Sequence, residues 1–143
     1  MSAEILNGYI SENVKITKLA DHSTAATSDV TSSELDMAGF KHVMFCTSFG
    51  TAAAGNLITM HQGDVSGSVA ATVALLSSGT SDEDVILDVK NVGARYLKLV
   101  ATRGTSSTLE SIWAVQYGAD DKAVDNSTSG TINVATFNAP ALA

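Results

Sequence analysis

Tyr96-Leu97-Lys98-Leu99-Val100-Ala101-Thr102 sets Leu97, Leu99 and Ala101 on one side of an extended chain and Tyr96, Lys98, Val100 and Thr102 on the other, because side chains alternate across a pleated strand. One side is wholly apolar and the other mixed, the pattern of a strand resting on a core. Val85–Val89 precedes it and Leu109–Tyr117 follows, both readable as strands. In the second of these, Trp113, Val115 and Tyr117 share one face, while Ile112, Ala114 and Gln116 share the other. Apolar residues on both faces suit a strand in the interior of a sheet. The three segments carry almost no side chain able to perform chemistry, so surface and assembly matter more here than a reactive pocket.

Upstream, Asn13–Thr17 alternates Val14 and Ile16 against Lys15 and Thr17, and His42–Phe49 sets Val43, Phe45 and Phe49 against Met44 and Cys46. Leu57–Gln62 pairs Ile58 with Met60 opposite Thr59 and His61. Val69–Leu76 is nearly continuous in apolar residues and fits strand or helix. Its β-branched Val69, Thr72 and Val73 favour strand. Ser33–Met37 reads as a short strand, Ser23–Ser33 as a loop or irregular edge, and Thr131–Phe137 as a last strand. About eight short strands without recurrent helices predict an all-β fold, an antiparallel β-sandwich of jelly-roll type, in a single domain. The expected division is an N-terminal arm over 1–12, the sandwich over 13–137, and a tail over 138–143 that holds the one proline, Pro140.

Composition agrees. At 143 residues the chain fits one domain, which at that size buries roughly 68–70% of its unfolded surface. Charged residues are 16% of the chain, below the roughly 25% of soluble domains, with Ser, Thr, Asn and Gly supplying the polar share. A formal net charge of −7 argues against nucleic acid, whose phosphates call for clustered Lys and Arg. The lone Cys46 rules out an intrachain disulfide. Met1–Ile10 lacks the basic start and apolar centre of a signal peptide, and there is no apolar run of about 20 residues to span a membrane. A product that is soluble and intracellular when made is expected.

Candidate chemistry fails on spacing. Gly50 and Gly55 have the separation of a phosphate-binding loop, but Asn56 and Leu57 stand where Lys and Ser or Thr are required. His42 and Cys46 share a strand face yet lie about 13 Å apart along it, too far to hold one zinc ion; His22 and His61 would have to converge through the fold. Gly63-Asp64-Val65-Ser66-Gly67 places its serine one position late for a nucleophile elbow. Asp82-Glu83-Asp84 lacks the spacing of a calcium loop. Asn126-Ser127-Thr128 matches a glycosylation acceptor but has no secretory signal to support it. Catalytic, cofactor and metal residues are therefore all expected to be none. Arg95 and Arg103 flank the strand at 96–102; if buried, each needs a carboxylate, for which Asp36 and Asp88 are the candidates. Tyr96, Trp113, Val115 and Tyr117 are the candidates for core or subunit contact, and the three aromatics among them, Tyr96, Trp113 and Tyr117, are the alternative candidates for a sugar-stacking platform.

The succession Leu35-Asp36-Met37-Ala38-Gly39-Phe40, Phe49-Gly50, Val85-Ile86-Leu87-Asp88-Val89, Ala94-Arg95-Tyr96-Leu97, Arg103 and Ile112-Trp113-Ala114-Val115-Gln116-Tyr117-Gly118 resembles small virion structural proteins of tailed bacteriophages. The resemblance covers roughly residues 5 to 125. It implies a jelly-roll-like sandwich that assembles as a homotrimer and decorates the capsid exterior as a cement protein, with the major capsid protein as partner and no catalytic residues. Such genes also encode head fibres, head–tail completion proteins and tail parts, so the alternative is a carbohydrate-binding fibre or tail domain. The chain departs from the family pattern after Gly118, where Asp120 and Asp121 replace expected basic residues.

Overall fold

The computed structural model describes residues 9–120, 124, 126 and 130–137. Eleven strands form there: β1 (Lys15–Ala20), β2 (Ser23–Ala26), β3 (Val30–Thr31), β4 (Leu35–Asp36), β5 (His42–Phe49), β6 (Leu57–Gly63), β7 (Ala71–Ser77), β8 (Glu83–Val89), β9 (Tyr96–Thr102), β10 (Ser107–Leu109) and β11 (Ile112–Tyr117). A single 3-10 turn, Ile10–Glu12, precedes them. One sheet has the order β1-β11-β5-β8; the other runs β3-β9-β6-β7, with β4 also on β9, and β10 and β2 form a separate ribbon. Every pairing is antiparallel. The protein is an all-β, antiparallel β-sandwich.

Alternation decides which residues meet between the sheets. Val43, Phe45 and Phe49 of β5 and Ile112 and Ala114 of β11 face Ile58 and Met60 of β6 and Leu97, Leu99 and Ala101 of β9 in one continuous buried cluster. At the β6–β7 hairpin a side chain is excluded at Gly63, where a Cβ would lie 2.4 Å from the Ser68 carbonyl oxygen.

Three details differ from the sequence expectation. The predicted strand over Leu109–Tyr117 breaks at Glu110-Ser111 into β10 and β11, because Ser107–Leu109 pairs with β2 while Ile112–Tyr117 pairs with β1 and β5. Ser23–Ser33, read as loop or irregular edge, holds β2 and β3. Thr131–Phe137 runs without ladder pairing, although Ile132 and Val134 alternate half-buried with exposed neighbours. The arm is described only from Tyr9, and the tail over 138–143 lies outside the described residues.

Candidate functional site

The outer face of the β1-β11-β5-β8 sheet is built from residues that alternation turns away from the core. Cross-strand pairing sets Lys18, Trp113, Cys46 and Ile86 side by side in one row, and Ile16, Val115, Met44 and Asp88 in the next. Apolar side chains thus occupy the centre of this face and reach its margins at Ile16 and Ile86, with one charge at an end of each row, Lys18 on β1 and Asp88 on β8. Trp113 is 41% exposed and Ile86 58%. Of the four contact candidates, Trp113, Val115 and Tyr117 belong to this outer face. Tyr96 lies on the outer side of the other sheet, half-buried, with the Arg95 guanidinium carbon 5.2 Å from its ring centre. The core face of β11 is Ile112, Ala114 and Gln116. Buried Gln116 donates across the sandwich from Nε2 to the Asp36 carbonyl oxygen at 2.9 Å, which fixes that face inward.

An open groove of about 540 Å³ runs beside Trp113, lined also by Cys46, Ser48, Asp84, Ile86 and Glu110. The Cys46 thiol is pushed up from its ordinary pKa by burial first and then by the charges of Asp84 and Asp88, so it is a poor nucleophile at neutral pH. On the far side of Trp113 a second hollow of about 330 Å³ lies between Ile16, Trp113 and the extended segment Thr131–Ala135. The indole therefore stands between an open groove of mixed apolar and polar lining and the extended segment Thr131–Ala135.

The three histidines are held apart. His22 Nδ1 lies 3.2 Å from Glu110 Oε2, His61 Nδ1 lies 3.2 Å from the Ala70 carbonyl oxygen, and His42 Nδ1 accepts the Asn91 N–H at 3.0 Å while its ring tilts against Tyr117 at 4.9 Å. Among the described residues there is no group of three or more His, Cys, Asp or Glu side chains placed to hold a metal ion.

The two arginines have unlike partners. Arg95 Nη2 meets Asp36 Oδ2 at 3.1 Å and Nε meets Oδ1 at 3.2 Å. The Arg95 hydrogen bond and the Ala38 N–H hold the Asp36 carboxyl below its usual range. Arg103 is buried and takes no carboxylate among the described residues: Nε donates to the Ser28 carbonyl at 2.8 Å, and Nη1 to the carbonyls of Thr24 at 2.7 Å and Ser107 at 3.1 Å. This corrects the expected pairing with Asp36 or Asp88; backbone oxygens satisfy the cation without burying a second charge. Asp88 instead accepts from the Tyr117 hydroxyl at 2.6 Å, the main reason that the phenol's pKa is raised.

Sequence reading missed Asn126 as a structural residue. Its Oδ1 accepts the Ile16 N–H, and its Nδ2 donates to the carbonyls of Ser11 at 2.7 Å and Val14 at 2.9 Å. With both ends of the amide engaged and the side chain buried, it closes the β1 edge rather than presenting a glycan acceptor. Comparison with known protein families, curated proteins and solved structures gave no match to this chain.

Proposed function

We propose that this is a non-enzymatic structural protein of a tailed-phage virion, a capsid decoration protein that seats on the major capsid shell as a homotrimer and stabilises it. The observation that carries the reading is the outer face around Trp113, an apolar centre on a four-stranded sheet with Lys18 and Asp88 at opposite margins. That arrangement matches a contact surface, in which a desolvated apolar core is ringed by polar groups. The strand wiring supports the family resemblance. With β3 and β4 merged as strand two and the β2–β10 ribbon set aside, the remaining strands lie in the orders 1-8-3-6 and 2-7-4-5, which is the wiring of a jelly roll made of two Greek keys. A cement protein stabilises a shell because it binds the assembled form and not the separated subunits.

The test is sedimentation of the purified protein with expanded capsids that lack it. Co-sedimentation that is lost in Trp113→Ala and Ile86→Lys, both folded by circular dichroism, supports the role; a wild-type protein left in the supernatant at low and moderate salt rejects it.

A second reading has its own observation. The groove beside Trp113 combines an exposed indole with the carboxylates of Asp84 and Glu110 and the Ser48 hydroxyl, a combination that fits a sugar ring stacked on one face and hydrogen-bonded at its edge. Trp113 is the chain's one tryptophan, so quenching or shift of its fluorescence across a glycan panel reads this site directly. An unchanged spectrum rejects the carbohydrate reading and leaves the capsid reading standing.

A further inference from the structure

β7 is a long sheet edge built without charge. Among the described residues it pairs only with β6. The Ser78 N–H donates to the Asn56 carbonyl at 3.1 Å. By strand alternation Leu76 and Ala74 then direct their backbone groups at β6, while Leu75 and Ser77 direct theirs away from it. From Val65 to Ser81 the sequence holds no charged residue and no proline. Val73 is 41% exposed and Leu75 59%. The register slips once, at Met60/His61 opposite Ala74/Thr72, which leaves Ala74–Ser77 regular. Sheet edges are ordinarily blunted by Lys, Pro, short length, a bulge or a covering segment; beyond the one slip beside Val73, the described residues supply none of these to β7.

The other edges differ in ways that bear on self-association. β3 and β4 are two residues each. At β1 the outward groups of Val14 and Ile16 are already taken by Asn126, and the strand carries Lys15 and Lys18. β8 carries Glu83, Asp84 and Asp88. A copy of either strand laid antiparallel on itself would set like charges across the junction, which destabilises a pair. β2 and β10 are neutral but only four and three residues long; β7 is the longest neutral edge among the described residues, regular over Ala74–Ser77, so a second copy meets it with no repulsion and brings exposed Leu75 against apolar surface.

We infer that two copies of this protein join edge to edge through antiparallel β7 strands about a two-fold axis, making the β3-β9-β6-β7 sheets continuous across the junction. A two-fold contact is self-complementary, so one neutral strand serves both partners. The junction uses the sheet opposite to the Trp113 face and does not depend on the capsid reading. Alone it gives two copies; combined with a three-fold contact it gives six.

Solution mass by light scattering or sedimentation equilibrium tests the pairing. The wild-type protein is expected at an even number of copies. Leu75→Pro removes an outward N–H while sparing the ladder to β6, and is expected to halve that mass. Leu75→Lys places like charges at the junction and gives the same result if the proline variant fails to fold. In a Cys46→Ser background, single cysteines at Thr72, Ala74 or Leu75 are expected to yield a disulfide-linked pair where the residue lies near the axis. A wild-type mass of one or three copies overturns the inference, as does an even mass that survives in folded Leu75→Lys. Capsid co-sedimentation retained by Leu75→Lys, and lost by Trp113→Ala with its mass unchanged, separates this junction from the capsid contact.

Discussion

Both ends of β9 are closed by an arginine, and the two are held in opposite ways. At the start of the strand, Arg95 lies over Tyr96 in an exposed ion pair with Asp36. Just past its end, buried Arg103 ties the carbonyls of Thr24, Ser28 and Ser107 together and so fastens the β2–β10 ribbon to the main sheet. Asn56 continues that second network, with Nδ2 donating to Ser107 Oγ at 3.1 Å and Oδ1 accepting the Gly104 N–H. The difference lies in solvent. Water screens and replaces the first pair at little cost, whereas removal of the second strands the buried Ser107 carbonyl and empties a buried side-chain site, although Thr24 and Ser28 are themselves exposed.

The sharpest way to break this comparison is Arg103→Ala. The unmet Ser107 carbonyl is worth about 1–3 kcal/mol and the lost packing of the buried Arg103 stem adds to it, so the loss is expected at about 3 kcal/mol, read as a fall in Tm of roughly 10 °C for a chain of this size. A fall no larger than that of Arg95→Ala would erase the contrast. Asn56→Ala should come next, at about 2 kcal/mol in a denaturant midpoint, from the Gly104 N–H and Ser107 hydroxyl left without their partner. Gly104→Ala tests the same end sterically. A Cβ there would stand 2.8 Å from the Ala54 carbonyl oxygen and 2.9 Å from the Ala53 Cβ, and overpacking of this kind costs about 1–3 kcal/mol.

The exposed end should give the smallest change, and one that depends on pH. Because the Asp36 carboxyl is held below its usual range in the folded protein, its contribution is full above the ordinary carboxylate pKa of about 3.9 and is lost as pH falls through the lowered folded value. Asp36→Asn is thus expected to lower Tm slightly at pH 7, with the gap to wild type closing in acid. A gap that persists unchanged in acid would show that the Asp36 charge is not what sets the difference, since the asparagine of Asp36→Asn keeps an oxygen able to accept the Ala38 N–H.

Several elements were legible in the sequence for a plain reason. β5, β6 and β9 alternate apolar with polar residues, and a period of two places the apolar set on one face whatever the sheet it joins. The inward sets Val43–Phe45–Phe49, Ile58–Met60 and Leu97–Leu99–Ala101 follow from that alone. β11 was different. Ile112, Ala114 and Gln116 oppose Trp113, Val115 and Tyr117, and counting hydrophobic side chains favours the face that is in fact exposed. The outcome is set by volume and by partner: small Ala114 fits between packed sheets, and Gln116 finds the Asp36 carbonyl across the core. The Trp113 face was named from sequence as a contact candidate, but its neighbours Cys46, Ile86 and Met44 come from strands far along the chain and are assembled only by register.

Sequence by itself determined that this chain is all-β, which faces of its regular strands are apolar, and that no familiar catalytic or metal-binding spacing is present. The tertiary structure decided which face of β11 turned outward, that Arg103 is met by carbonyls and not a carboxylate, that Asn126 closes the β1 edge, and that β7 is left at the rim of its sheet. Alternation is local and survives in any fold. The partners of Arg103 and Asn126 lie 75 to 79 and 110 to 115 residues away, apart from Ser107, and no local pattern specifies contacts that exist only once the two sheets have closed on one another.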